Sequence, residues 1–299
     1  MRHKKNNNSS SGRQELGLPS EGDRTSKQDA SEAVSALYEE GRCSEPGKSV
    51  FNSLAGFRLC IDSPEKIARE AIGVGGNVRG RWFACLNPHS YVVALEDVEY
   101  RDALNCSDWL LPDGIGIVVA SKILGCGVSR RVTGWDVFRA VMNEIEDGRT
   151  GHRVFFLGST DDVLDKVVAR ARHEYPHVTI AGRLSPPFVD CFDAETSRQI
   201  CEVILESAAD VLWVAMTAPK QEKWLASHIS ATDVRFAGAV GAVFDFYAGT
   251  VRRSGRVWQR LGLEWLPRLV QEPRRLWRRT FISAPIFAWR VLKLRLSFK

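Results

Sequence analysis

The chain has 299 residues, 44 % of them hydrophobic, and a formal net charge of +5. That is enough apolar material for one large domain with an appendage, or for two small domains, while no stretch reaches the roughly 18–20 uncharged apolar residues of a membrane-spanning helix. Seven widely spaced cysteines without a Cys-x-x-Cys pair argue against a disulfide framework or zinc knuckle and for reduced thiols in a cytosolic protein.

Residues 1–50 are rich in Asn, Ser, Lys, Glu and Gly and read as a disordered polar leader. Met1 to Asp29 holds no apolar h-region, which argues against a secretory signal. Residues 51–250 read as one domain. Its strand-like runs are Phe57–Ile61, Trp82–Leu86, Trp109–Leu111, Val154–Leu157, Val178–Ala181, Val211–Ala215 and Val234–Ala237. Helical patterns lie between them. Ser63-Pro64-Glu65 is a helix start, with a capping serine and proline at the first position. Val163, Leu164, Val167, Val168 and Ala171 share one helix face. Continuously apolar strands alternating with helices predict an α/β fold with a mostly parallel sheet flanked by helices. Such sheets hold ligands beyond the carboxyl ends of their strands.

Residues 251–299 change character. They hold thirteen Lys or Arg against two acidic residues, a net of +11, whereas the preceding 250 residues carry a net of −6. A basic tail on a mildly acidic body points to an anionic partner. Ile286 to Lys299 mixes Phe287, Trp289, Leu292 and Leu296 with Arg290, Lys293 and Arg295. This stretch fits a basic amphipathic helix on an anionic membrane surface, or a terminal helix docked on the core.

Four strand ends carry candidate chemistry. Asn87 follows the Trp82–Leu86 run; it offers a donor and an acceptor to a sugar or uracil edge, or caps the helix that opens at Pro88. Asp113, in Leu111-Pro112-Asp113-Gly114-Ile115-Gly116, is a general base on a hydroxyl or part of an ordinary Pro-Asp-Gly turn. Arg130 and Arg131 precede Thr133, a candidate cap, and suit a phosphate beside a helix N-terminus. In Thr217-Ala218-Pro219-Lys220-Gln221-Glu222, Pro219 opens a helix and Lys220 and Gln221 face the site. The helix dipole opposes a cation there unless an anion meets it. Gly158-Ser159-Thr160 is a strand-to-helix turn without the G-x-G-x-x-G spacing of dinucleotide enzymes. No Asp-x-Asp pair and no grouped histidines offer a metal site.

In order, Asn87, Leu111-Pro112-Asp113-Gly114-Ile115-Gly116, Arg131-Val132-Thr133-Gly134-x-Asp136, Phe155-Phe156-Leu157-Gly158 and Pro219-Lys220-Gln221-Glu222 resemble the WecG/TagA/CpsF glycosyltransferases. Phe244-Asp245-x-x-Ala248-Gly249, Gly262-Leu263-Glu264-Trp265-x-x-Arg268, Glu272-Pro273-Arg274-Arg275 and Arg278-Arg279 extend the resemblance across residues 55–290. The ending is similar to that of members that build exopolysaccharide repeat units. The resemblance implies a Rossmann-like domain with a C-terminal helical appendage. It implies a metal-independent, cofactor-free, inverting transfer from a UDP-sugar donor to an undecaprenyl-diphosphate-linked glycan acceptor. The sugar implied is N-acetylmannosamine, its uronic acid or glucose. Asp113 matches the proposed base; Asn87, Arg131, Thr133, Asp136, Gly158, Gln221 and Asp245 match donor- or substrate-binding positions. Arg268, Arg275 and Arg278 match appendage arginines over the diphosphate. A cytoplasmic enzyme, peripheral on the inner membrane face and able to form homo-oligomers, follows. Cys85 and Thr217 depart from the pattern, standing where many members have Thr and Gly.

Two other readings compete: a nucleotide-binding protein of different chemistry, such as an oxidoreductase, and a binding module that works through its basic tail. The first lacks the glycine fingerprint. The tail carries no DNA- or RNA-binding motif, so nucleic acid is not expected as a partner.

Overall fold

A hairpin comes first among the described residues: β1 (Phe51–Leu54) and β2 (Phe57–Cys60) pair antiparallel. Ala55 and Gly56 between them both have positive φ, 50° and 89°, the turn geometry that matches strand twist. The computed structural model describes residues 50–73, 78–251, 255 and 277–297, and these belong to one compact unit. The central sheet contains β3 (Arg81–Leu86), β4 (Trp109–Pro112), β5 (Arg153–Gly158), β6 (Thr179–Leu184), β7 (Val211–Ala215) and β8 (Phe236–Ala239). Its order is β4-β3-β8-β7-β5-β6, with every pairing parallel.

Successive strand residues point to opposite faces and both faces are covered, which explains the continuous apolar runs. Trp82, Leu86, Leu157 and Val214 lie in one core layer. It is roofed by α2 (Pro88–Glu96), α3 (Val98–Cys106), α7 (Ala194–Glu206) and α8 (Lys220–His228). Phe83, Phe156, Trp213 and Phe236 lie in the other. Its helices are α1 (Pro64–Ile72), α5 (Gly134–Gly148), α6 (Asp161–Glu174) and α9 (Val243–Ala248). The α6 face read from the sequence packs as expected, with Leu164, Val167 and Ala171 buried and Val163 and Val168 against them. Ser63 caps α1 with its side chain.

Three runs depart most from the sequence reading, the other strands matching it to within one residue at each end. The run at Val234 pairs two residues later, as Phe236–Ala239, because the amides of Arg235 and Phe236 turn to the Asp210 carbonyl. The run at Val178 starts at Thr179 and continues to Leu184. The run at Phe57 belongs to the hairpin, whose first arm went unread because Asn52 and Ser53 interrupt its apolar pattern.

Helix α4 (Ile115–Leu124) follows the β4 loop, and α10 (Ala284–Ser297) follows a π-helical turn at Arg278–Ser283. α10 docks on α2 and α4, burying Phe287 and Val291. Phe287 meets the Tyr91 ring edge-on, with centroids 5.1 Å apart. The docked reading of the terminal helix therefore holds for this face. Arg252–Ser254 and residues 256–276 lie outside the described residues.

A Cβ on Gly238 would sit 2.5 Å from the Phe83 ring and 2.6 Å from that of Trp213. Overpacking a filled core by one methyl costs about 1–3 kcal/mol. Gly238→Ala is therefore expected to lower the unfolding free energy by that amount, which chemical denaturation reads as a lower urea midpoint with an unchanged m-value.

Candidate functional site

The strand order reverses direction between β5 and β7 and between β3 and β8, and the crevices of a doubly wound sheet open at such reversals. A cavity of about 870 Å³ opens beyond β5 and β7. A smaller one, of about 280 Å³, opens beyond β3, β4 and β8. They share Met216–Pro219 and Gly241 as a common wall, so the two form one crevice along the carboxyl edge of the sheet.

The larger cavity is floored by the turn after β5. Gly158 has φ +111°, and a Cβ there would lie 2.4 Å from the Ala215 carbonyl oxygen. Only glycine allows β5 to end this close to β7. The Ser159 amide then donates to Ala215 at 3.0 Å, and Thr160 caps α6. Asp245 of α9 and Lys220 of α8 complete the wall.

The smaller cavity gathers Asn87, Asp113, Thr133, Gln221, Glu222 and Arg279. Asp113 is half-buried, and its amide donates to the carbonyls of Leu86 and Leu111, each at 2.9 Å. The Asp113 loop is thus tied to both β3 and β4. Asn87 caps α2, its side-chain oxygen accepting from the His89 and Ser90 amides at 3.0 Å each. Only its amide N–H groups remain for a ligand. Gln221 is buried: its oxygen accepts from the Met216 amide at 3.2 Å and its nitrogen donates to Glu222 at 2.8 Å.

The other expected positions scatter. Thr133 and Asp136 form a capping box on α5: Asp136 accepts from the Thr133 amide at 3.0 Å and from its hydroxyl at 2.7 Å. Thr133 borders the smaller cavity while Asp136 does not. Arg131 lines a separate charged cleft with Arg69, Arg130 and Asp136; Trp135 borders both that cleft and the smaller cavity. Arg278 is exposed and lines none of these cavities; its neighbour Arg279 enters the smaller one. Arg268 and Arg275 lie outside the described residues. Among the described residues, no group of three His, Cys, Asp or Glu side chains could hold a metal ion.

Glu222, His89 and Arg279 line the smaller cavity but were not among the site residues read from the sequence, although Glu222 and Arg279 stand within its motifs. Glu222 sits in the first turn of α8, where an acidic residue reads as a routine complement to the helix dipole, yet it is 2 % exposed. Burial pushes its carboxyl up to about 7, the Gln221 hydrogen bond and Arg279 charge opposing the rise. Its second oxygen has no partner among the described residues. Burial, reinforced by Arg279 and Arg278, pushes His89 down to about 4, so a neutral imidazole meets the Ser283 hydroxyl at 2.8 Å. Burial and then the Asp113 and Glu222 charges hold the Cys85 thiol well above its usual range. It stays protonated and is no nucleophile.

The arrangement is that of an α/β enzyme whose ligands lie across strand-order reversals, with a carboxylate and an arginine facing the same cavity. The chain belongs to the WecG/TagA/CpsF family of glycosyl transferases, whose profile matches residues 61–299. It is similar to an N-acetylglucosaminyldiphosphoundecaprenol N-acetyl-beta-D-mannosaminyltransferase of Bacillus spizizenii (strain ATCC 23059 / NRRL B-14472 / W23). Identity is 31 % over 215 residues, covering 72 % of this chain and 80 % of the relative. A protein of the same name from Bacillus subtilis (strain 168) is 32 % identical over 214 residues, with the same coverage. The family match sets aside both competing readings.

Because the folded state holds the Glu222 proton more tightly than the unfolded chain, stability falls as pH rises from about 4.5 to about 7 and stays lowered above. Glu222→Gln keeps an acceptor for Gln221 and removes the titration. Unfolding free energies from urea titrations are expected to favour the variant by roughly 1–3 kcal/mol at pH 8, with the advantage gone at pH 4.5.

Proposed function

We propose that the protein transfers a hexose from a UDP-sugar to an undecaprenyl-diphosphate-linked glycan by one inverting displacement, without a metal ion, in cell-surface or exopolysaccharide synthesis. The names of the two Bacillus relatives favour N-acetylmannosamine as the sugar and a lipid-linked N-acetylglucosamine as the acceptor. The observation that carries the reading is Asp113, held on a loop tied to two strands and facing a cavity that shares a wall with a larger one. The larger cavity falls within the size range of small-ligand sites, and the nucleotide is assigned to it.

In this reading Asp113 removes the acceptor hydroxyl proton. The oxygen attacks the sugar C1 as the C1–O bond to UDP breaks, and UDP departs with the bonding pair. Arg279 faces the smaller cavity and stabilises the charge that develops on the leaving diphosphate, a role the family resemblance also implies for Arg268, Arg275 and Arg278. Gln221 holds the shared wall, and Gly158 and Asp245 the donor side. Thr133 and Asp136 support the mouth of the acceptor side through the α5 cap; Arg131 stands at its flank.

The acceptor's anchorage calls for a membrane-facing surface. Ile115, Val119 and Ile123 form an exposed stripe along α4, which starts two residues after Asp113. Beside it α10 exposes Trp289, Leu292 and Leu296. Neither helix contains an acidic residue, and Lys122, Arg290, Lys293 and Arg295 rim the surface. Apolar residues among cations suit an anionic bilayer surface; among the described residues no helix is long and apolar enough to cross one. In this reading the enzyme is cytoplasmic and peripheral on the inner membrane face.

UDP release from a panel of UDP-sugars, with a lipid-diphosphate N-acetylglucosamine acceptor and EDTA present, tests the chemistry. Turnover with one donor is expected, lowered about 10²–10⁴-fold in Asp113→Asn; full activity in that variant would remove Asp113 from the role of base. Co-sedimentation with anionic vesicles tests the surface. Val119→Glu combined with Trp289→Glu is expected to abolish binding while leaving the folded core intact by circular dichroism.

A further inference from the structure

Lys220 has no part in the mechanism above, yet its surroundings are unusual for a lysine. It stands in the first turn of α8 and lines the larger cavity. Among the described residues its ammonium has no carboxylate within ion-pair distance. It donates to the Val189 carbonyl and lies over the Phe192 ring, 4.6 Å from the centroid, and the Phe188 ring, at 5.9 Å. Burial lowers its pKa, and Asp190 acts on it only at longer range. Lys223, one turn further on and in the same cavity wall, is by contrast neutralised by Asp97 at 2.9 Å and Glu99 at 2.8 Å.

A partly desolvated cation without a counter-ion is costly unless an anion arrives to meet it. The helix dipole adds to that cost at this position. The loop that carries Val189 also carries Phe188, which is 95 % exposed at the cavity wall. A flat apolar ring beside an un-neutralised ammonium, in a crevice of about 870 Å³, matches a nucleoside diphosphate: a base to stack and a phosphate to pair. The carboxylates of the same cavity are Glu99, Asp190 and Asp245; Asp190, on the Val189 loop, acts on Lys220 only through its field, and among the described residues none of the three forms an ion pair with it.

We propose that Lys220 binds the diphosphate of the nucleotide donor, exchanging the Val189 carbonyl for phosphate oxygens, and that Phe188 stacks on the base. The assignment rests on the donor reading above but adds a cation from the catalytic domain to those of the appendage.

Calorimetric titration of the full chain with UDP and with uridine tests it. Lys220→Met is expected to weaken UDP binding roughly ten- to hundredfold, the size of a lost charge-assisted hydrogen bond, and to leave uridine binding unchanged. Lys220→Arg is expected to recover most of the UDP affinity, and Phe188→Ala to weaken UDP and uridine by the same factor. Lys220→Met binding UDP as tightly as the parent would sink the assignment. So would equal losses for UDP and uridine, which mark a loop-pinning role through Val189. A parent chain that ignores UDP altogether would bring down the donor reading as well.

Discussion

Aromatic rings from neighbouring strands interlock on one face of the sheet. Phe236 lies 5.8 Å from each of Phe83, Trp109 and Trp213, mostly edge-to-face, and Phe138 of α5 closes on Trp213 at 4.9 Å. Offset and edge-on pairs of this kind add to what area burial alone contributes. Gly238 leaves the space that lets Phe83 and Trp213 meet. This layer sets the spacing of β4, β3, β8 and β7, and so the positions of the loops that leave them. The crevice inherits its shape from the packing beneath it.

With both faces of the sheet covered, polar side chains collect at the carboxyl edge, and the electrostatics there are tuned by burial rather than by dense ion pairing. Glu222 carries a raised pKa, Cys85 is kept protonated and His89 is kept neutral. Of the three only the Glu222 shift costs appreciable folding stability at neutral pH, because the Cys85 thiol and the His89 imidazole are largely uncharged there in the unfolded chain as well; shifted groups gathered in one cleft are a common signature of a functional site. Arg279 touches several of them at once: its charge acts on both Glu222 and His89. The turn before α10 thereby becomes electrostatically part of the site although it lies far from β3 and β8 in the chain.

The C-terminal helix works in two directions. Phe287 and Val291 are buried in the core while Trp289 is 68 % exposed. A sequence that mixes apolar and basic residues at such spacing is compatible with docking or with a lipid surface, and the helix turns one side to the core and leaves the other exposed. Its packing on α4 joins the two exposed stripes into one surface next to the Asp113 loop.

Much of the architecture was readable from the chain because its causes are local. Continuous apolar runs mark strands covered on both faces, and the caps at Ser63, Asn87 and Thr133 depend on hydrogen bonds reaching only two or three residues ahead. Asp113 and Gln221 were legible as members of motifs, and Gly158 as a tight turn. What stayed hidden depends on strand order, which non-local pairing decides. The apolar patterns of β3 and β8 hold no mark of their adjacency, yet it is this pairing that brings Asn87 beside Gly241 and Gln221. Burial of Glu222 and the entry of Arg279 instead of Arg278 likewise follow from how elements distant in the chain pack together. Local chemistry chose the elements and their ends; long-range packing chose which side chains share a cavity.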